Sequence, residues 1–152
     1  MNIPEQLKNI EVYYDGHCGM CCTFHEWVNK QQRAYQVSFI PYQAKIAEQT
    51  FPGISEMDPD KEMIVRTDRG EVFKGAEAWV VCLNSCKNYQ AVARRLAGPI
   101  LLPVAKKTCN LLAANRHRLS KLLFRKKDKE VVQRLHAMPE QQCENGGCRY
   151  DD

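Results

Sequence analysis

The sequence predicts an α/β fold, and three observations support this. A β-branched and aromatic stretch, a stretch with apolar residues at helical spacing, and a second apolar stretch follow one another between Ile10 and Ile40. A hairpin pattern with glycine in its turn comes next and leads into another helical stretch. Two cysteines three positions apart, Cys18 and Cys21, stand where the first strand meets the first helix. These two sulfurs are the first candidates for a functional site.

The first three elements predict a βαβ unit. Ile10–Tyr14 has the β-branched and aromatic composition of a strand. From Gly19 to about Arg33, apolar side chains recur at helical spacing and predict an amphipathic helix. Val37–Ile40 is nearly continuous in apolar character, as a buried strand should be, and Pro41 ends it. Two parallel strands with a right-handed crossover follow from this order.

The next elements complete a recognisable core. A short helix is predicted at 43–49 and a loop at 51–60. Glu62–Arg66 and Glu71–Lys74 are predicted strands joined by the turn Thr67–Gly70, which makes a β-hairpin. Gly75 ends the second of these strands, and a helix is predicted from residue 76 to about 86. The order is that of a thioredoxin-like β-α-β-β-β-α core, assigned to residues 1–86.

The remainder of the chain predicts a helical extension of the same domain. Residues 87–138 read as basic helices packed on the core, with helices at Gln90–Ala97, Val104–Asn115 and Leu119–His136. Gly98-Pro99 and Pro103 are predicted to separate them. Residues 139–152 are predicted to form a mobile tail. A chain of 152 residues is long enough for one domain with a sizeable core.

Charge and hydropathy set bounds on location and partners. Residues 1–86 carry 8 Lys and Arg against 12 Asp and Glu, whereas residues 87–136 carry 13 against 2. No apolar run approaches the roughly 18 residues of a membrane span. The first residues have neither the basic region nor the apolar region of a signal peptide. A cytoplasmic, reducing location is therefore the expectation, and cysteines there are more often catalytic, metal-binding or buried than disulfide-bonded.

The Cys18–Cys21 spacing is typical of a redox site at a strand–helix junction. At the helix start, unpaired amides and the helix dipole would stabilise a Cys18 thiolate, which attacks a substrate disulfide. Cys21, expected to be the more buried sulfur, would then resolve the mixed disulfide. A protonated His17 would lower the pKa of Cys18, although an exposed histidine without a role is an equal alternative. Asp15 either structures the turn, caps the helix or relays a proton, with the structural role favoured.

Glycine and the other cysteines complete the expectations about the sulfurs. The glycines on either side of His17-Cys18, Gly16 and Gly19, are expected to leave the Cys18 sulfur accessible. Cys22 is expected to be a small buried side chain, with pairing to Cys18 as an alternative. The remaining three of the first six cysteines are predicted core residues: Cys82, Cys86 and Cys109.

A zinc site is the main alternative to redox chemistry. A second cysteine pair, Cys143 and Cys148, could join Cys18 and Cys21 to supply four thiolates for a tetrahedral zinc. A mixed set that includes His25, one turn beyond Cys21, is also possible. Zinc pairs usually lie in knuckle turns, whereas this pair follows a strand and begins an amphipathic helix, which favours the redox interpretation. No cofactor beyond the dithiol is expected.

The basic extension suggests surface contacts. Its simplest interpretation is a helical layer with an apolar face on the core and a solvated basic face. The segment Leu119–Lys129 could instead contact an anionic membrane through Leu122, Leu123 and Phe124, or an acidic protein. Nucleic acid is a weaker candidate, because few aromatic residues are interleaved for base stacking.

Three motifs together resemble a known family. Tyr14-Asp15-Gly16-x-Cys18-x-x-Cys21, the segment 69–79 and the segment from Pro103 to 119 resemble, in order, motifs of the DCC-family thiol-disulfide oxidoreductases. The resemblance covers residues from about 10 to 120. It implies a thioredoxin-like fold and exchange with a disulfide-containing protein or small thiol. The chain departs from the family at His17. It departs from thioredoxins in lacking a proline immediately before the third strand: the nearest is Pro59, and Lys61-Glu62-Met63 enters the strand, with Met63 a candidate to face the sulfurs instead.

Overall fold

A computed structural model of the protein describes residues 1–4 and 6–123. The described chain contains four strands, a short 3-10 helix before the third strand and another before the fourth α-helix. The strands are β1 (Asn9–Tyr14), β2 (Gln36–Pro41), β3 (Ile64–Thr67) and β4 (Val72–Lys74). The α-helices are α1 (Gly19–Asn29), α2 (Lys45–Thr50), α3 (Ala76–Ser85), α4 (Gln90–Leu96) and α5 (Leu101–Leu123).

The strands form one mixed sheet in the order β2-β1-β3-β4. β1 pairs in parallel with β2, where Val12 is opposite Phe39, and antiparallel with β3, where Val12 is opposite Val65. β3 and β4 form the predicted hairpin, and Gly70 adopts the positive φ of 82° that its turn requires. This mixed sheet and its helices confirm the predicted thioredoxin-like α/β fold.

Alternation along β1 divides the core between the two faces of the sheet. Ile10, Val12 and Tyr14 face a large cluster that includes the buried sides of α1 and α3. Tyr13 faces a smaller cluster with Ile40, covered by α2 and the 3-10 helix Ile54–Met57. Helices therefore cover both faces, and the face with α1 and α3 is the one that contains Cys18 and Cys21. That cluster also includes Cys22, Val28, Val37, Phe39, Met63, Val65, Val81, Cys82 and Cys86.

Several predicted boundaries differ from the structure. α1 ends at Asn29, four residues before the predicted end, because the chain then turns and forms a bridge between Arg33 and Cys86. The predicted loop at 51–60 contains the 3-10 helix. These differences leave the order of strands and α-helices unchanged up to this point, since one shortens α1 and the other adds a short 3-10 helix within a loop.

The prediction of separate helices at Val104–Asn115 and Leu119–His136 is wrong within the described residues, where α5 runs unbroken from Leu101 to Leu123. Pro103 lies in the first turn of α5, where an amide has no intrahelical partner to lose. α4 and α5 both contact α3, and Lys106 of α5 pairs with Glu77 of α3 at 2.7 Å. The predicted tail and the residues after 123 lie outside the described part of the chain, and the division into core and extension stays a prediction.

Buried thiols predict a loss of stability at alkaline pH. Burial raises the pKa of Cys82 and of Cys86. The unfolded chain releases these protons near the ordinary thiol pKa of about 8.5, while the folded chain retains them to higher pH. Because the unfolded state then binds fewer protons, the free energy of unfolding should fall as pH rises above that value. Denaturant unfolding at pH 7 and at alkaline pH measures this fall, which Cys82→Ala should make shallower; an equal fall in both proteins contradicts the assignment.

Candidate active site

The candidate site lies at the carboxyl end of β1, where the turn of residues 15–17 leads into α1. The Cys18 amide donates to the Asp15 carbonyl at 3.0 Å, and the His17 amide donates to Asp15 Oδ1 at 2.9 Å. Asp15 is buried, with 6% of its surface exposed. The carboxylate therefore structures the turn through a local side-chain-to-backbone bond, the role that the sequence favoured for it.

Gln43 makes a second connection to this turn. Its Nε2 donates to Asp15 Oδ1 at 2.6 Å, and its Oε1 accepts the Gly16 amide at 3.0 Å. Gln43 follows β2, and its neighbour Tyr42 donates its amide to the Tyr14 carbonyl at 3.0 Å, which extends the parallel pairing. Sequence reasoning missed Gln43. Its position just after β2 could have indicated a role in the site, because the carboxyl ends of neighbouring parallel strands meet at one edge of the sheet.

Cys18 caps the first helix. Its backbone is extended, with φ −89° and ψ 106°, and its carbonyl accepts the Cys22 amide at 3.0 Å. Its Sγ accepts the Cys21 amide at 3.4 Å, so the sulfur occupies the place of a capping oxygen. The prediction that Asp15 could cap the helix is therefore wrong. A sulfur in this position lies at the positive end of the helix dipole, which favours a thiolate.

Cys21 lies one turn into α1, beside Cys18. The side-chain hydrogen bond with Cys18, burial, and the negative charge of Asp15 together raise the pKa of Cys21 well above its usual range. Both residues are thiols in the structure. The geometry thus brings together two sulfurs and one buried carboxylate, three of the four side chains predicted for the site.

The relative exposure of the two cysteine residues is the reverse of the prediction. Cys18 is 2% exposed and Cys21 is 9% exposed, although Cys21 was expected to be the more buried. The expectation that Gly16 and Gly19 leave Cys18 accessible is also wrong. The cause is the cap, because the Cys18 side chain folds back toward the Cys21 amide, whereas Cys21 faces a groove between the helices.

His17 and Cys22 have different positions around this turn. His17 is exposed, and its backbone amide donates a hydrogen bond to Asp15 Oδ1. Cys22 is 5% exposed, as expected for a small buried side chain, and its thiol donates to the Gly16 carbonyl at 3.5 Å. Cys22 therefore stabilises the turn. The tuning role of His17 stays a prediction.

An apolar groove of about 740 Å³ opens beside Cys21. Its walls come from α1, α3, α4, α5 and the segment before β3, which contributes Pro59 and Met63. Met63 is 6% exposed and belongs to the cluster that contains both sulfurs. A methionine thus occupies the position before the third strand, where its flexible apolar side chain lines the groove.

The remaining cysteines bear on the zinc alternative, and the structure describes only some of them. Cys82 and Cys86 are fully buried in the core, as predicted. Cys109 is partly exposed and lines the groove, so its prediction as a core residue is wrong. Among residues 1–4 and 6–123, no three His, Cys, Asp or Glu side chains are grouped as a metal site. Cys143 and Cys148 lie outside this range, so the prediction of a zinc site with four thiolates stays untested.

His25, the histidine of the mixed alternative, stacks on Phe39 with a centroid distance of 4.3 Å. Its ring also lies 5.6 Å from that of Tyr14.

In the part of the chain that the structure describes, no helix combines the length and apolar character required to cross a membrane.

A dithiol at the start of the first helix of a thioredoxin-like fold is the arrangement of thiol–disulfide oxidoreductases. The chain belongs to the DCC1-like thiol-disulfide oxidoreductase family, whose model matches residues 12–122. The family resemblance of the three sequence motifs is confirmed by this match. Neither the curated proteins nor the solved structures contain a match to the chain.

Replacing Gln43 tests whether its hydrogen bonds stabilise the turn. Gln43→Leu removes two hydrogen bonds, one of them to a buried carboxylate, and should lower the free energy of unfolding by about 1–3 kcal/mol. Chemical denaturation measures the change. Gln49→Leu, an exposed substitution of the same type on α2, is the matched control and should have little effect. Equal stability losses in the two variants would argue against the connection.

Proposed function

We propose that the protein exchanges a Cys18–Cys21 dithiol with the disulfide of a protein or small molecule. The observation that carries this proposal is the position of the Cys18 sulfur at the N-terminus of α1, where it accepts the Cys21 amide. Membership of a thiol-disulfide oxidoreductase family supports redox chemistry in general. The assignment of roles to the two sulfurs comes from their local environments.

Cys18 is the attacking sulfur in this proposal. The raised pKa of Cys21 keeps that thiol protonated at neutral pH, and a protonated neighbour donates to a thiolate on Cys18. The Cys18 thiolate attacks one sulfur of the substrate disulfide, a bond forms between them, and the second substrate sulfur leaves as a thiolate. Because Cys18 is 2% exposed, local opening around it precedes the attack.

Cys21 is the resolving sulfur. It loses its proton and attacks Cys18, which forms the Cys18–Cys21 disulfide and releases the substrate's first sulfur as a thiolate. Asp15 is the buried carboxylate whose charge acts on Cys21, and it is the group proposed to accept that proton. Two electrons pass from the dithiol to the substrate. The reverse sequence oxidises a substrate dithiol, and the cytoplasmic location predicted from the sequence would favour reduction.

Serine substitutions of the cysteines separate the proposed roles. Cys18→Ser should abolish reduction of a model disulfide, because the attacking sulfur is gone. Cys21→Ser should stop after the first step and accumulate a mixed disulfide on Cys18. Mass spectrometry detects the added substrate half, and thiol release measures the rate.

Cys22→Ser is the control for these variants. Its hydroxyl retains a donor to the Gly16 carbonyl, so the rate should stay close to that of the unmodified protein. A Cys18→Ser protein that reduces the model disulfide as fast as the unmodified protein would refute the proposal.

Asp15→Asn tests the carboxylate. Since the charge of Asp15 helps to raise the pKa of Cys21, the neutral amide should move the alkylation midpoint of Cys21 to lower pH. Peptide mass spectrometry after timed alkylation across a pH series measures the midpoint. The amide oxygen can still accept the His17 amide, which preserves the turn. Asp60→Asn, at an exposed position, should leave the midpoint in place; an unchanged midpoint in Asp15→Asn removes the carboxylate from the mechanism.

A further inference from the structure

We propose that the groove beside Cys21 binds an apolar peptide segment that is flanked by acidic residues and adjoins the disulfide to be reduced. This inference rests on the proposed function and specifies its substrate class. Three properties of the groove support it: its lining, its continuity with the dithiol, and the charge of the helices that form one of its walls.

The lining is apolar and aromatic. Phe24 lies 4.1 Å from Trp79 and 5.9 Å from Trp27 between ring centroids, and all three rings line the groove while remaining partly exposed. α5 contributes Leu101 and Val104 to the same lining, and these side chains are 42% and 58% exposed. Partly exposed aromatic and aliphatic side chains around a concave surface are typical of peptide-binding sites.

The groove reaches the dithiol at Cys21, one helical turn from Cys18, the sulfur that local opening exposes for attack in the proposed function. Cys21, Asp15 and Met63 line it together with the aromatic side chains. A peptide that fills the groove with apolar side chains therefore places its neighbouring residues beside Cys21. At about 740 Å³, the groove has room for several side chains, more than a small hydrophilic disulfide would fill.

The charge of the α4–α5 wall selects the flanks of the peptide. Residues 87–123 contain eight Lys and Arg and no Asp or Glu. Arg94 and Arg95 are exposed on α4 and Lys107 on α5, the two helices that also contribute Leu96, Leu101 and Val104 to the groove lining. Acidic residues on either side of an apolar segment would meet this surface with complementary charge and accelerate encounter at low salt. Positive charge would attract an anionic membrane as well, but a concave groove of this size fits the side chains of a peptide, which favours an acidic protein over the membrane surface that the basic extension also suggested.

The experiment compares three synthetic peptides that share one intramolecular cystine. The first carries apolar residues flanked by glutamates, the second has serines in place of the apolar residues, and the third has lysines in place of the glutamates. Pre-reduced protein is mixed with each peptide in single turnover, so that the dithiol supplies both electrons. The first peptide should react about tenfold faster than the second, and it should outpace the third by a margin that shrinks with salt.

Two variants on α5 locate the effect. Val104→Glu places a carboxylate in the groove and should lower the rate advantage of the first peptide at least about threefold. Leu111→Glu adds the same charge to the same helix at a position 66% exposed and outside the groove lining. It should leave that advantage unchanged. Equal effects of the two variants, or equal rates for the three peptides, overturn the proposal.

Reduction of a small hydrophilic disulfide distinguishes a failure of the groove proposal from a failure of the proposed function. If the protein reduces it but treats the three peptides alike, the groove has no substrate role and the proposed function stands. If the protein reduces no disulfide, the proposed function fails, and this inference fails with it.

Other occupants of the groove give different results. A dimer of the unmodified protein that Val104→Glu dissociates in sedimentation would assign the groove to a second copy of the chain. An intramolecular disulfide from Cys18 to Cys143 or Cys148 in Cys21→Ser would assign it to the chain's own C-terminal segment. Vesicle binding that Val104→Glu abolishes, without a change in peptide rates, would assign it to a lipid surface. Each of these results overturns the proposal.

Discussion

Parallel pairing of β1 with β2 brings the carboxyl ends of both strands to one edge of the sheet, and the candidate site is assembled there. Tyr42 extends the pairing beyond the strands by bonding to Tyr14, which places Gln43 against the turn. Gln43 then bonds both to Asp15 and to the Gly16 amide. The turn that delivers Cys18 to the start of α1 is thus held from two sides, by its own carboxylate and by a neighbouring loop.

A sulfur at the helix cap links stability to chemistry. Serine, threonine, aspartate and asparagine are the preferred capping residues, and a thiol is a weaker acceptor than their oxygens. The apolar face of α1, including Cys22 and Val28 in the main cluster, supplies the burial that holds the helix in place. Because burial stabilises the helix, the cap position can be occupied by a reactive thiol in place of a stronger capping residue. The same cap removes Cys18 from solvent and leaves Cys21 facing the groove.

The helices after residue 86 change the surroundings of the dithiol. α5 contacts both α1 and α3, and it forms one wall of the apolar groove beside Cys21. Most of the residues that it adds to the groove lining are apolar, while the exposed positions of α4 and α5 include a set of basic side chains. Substrates that approach Cys21 along the groove would meet this layer. Specificity in such a fold depends on what is added around the core, since the fold alone does not define substrates.

Local patterns in the sequence determined the element order, the hairpin with its glycine, the thioredoxin-like sheet and the two cysteines at the strand–helix junction. These features depend on the spacing of residues near one another in the chain, and periodicity and turn chemistry report that spacing directly. Only the tertiary structure decided that Gln43 joins Asp15 across 28 positions, that Cys18 is more buried than Cys21, and that Cys109 lines the groove beside Cys21. Those outcomes depend on how strands pair and helices pack, and no local pattern encodes the distance between residues that packing brings together.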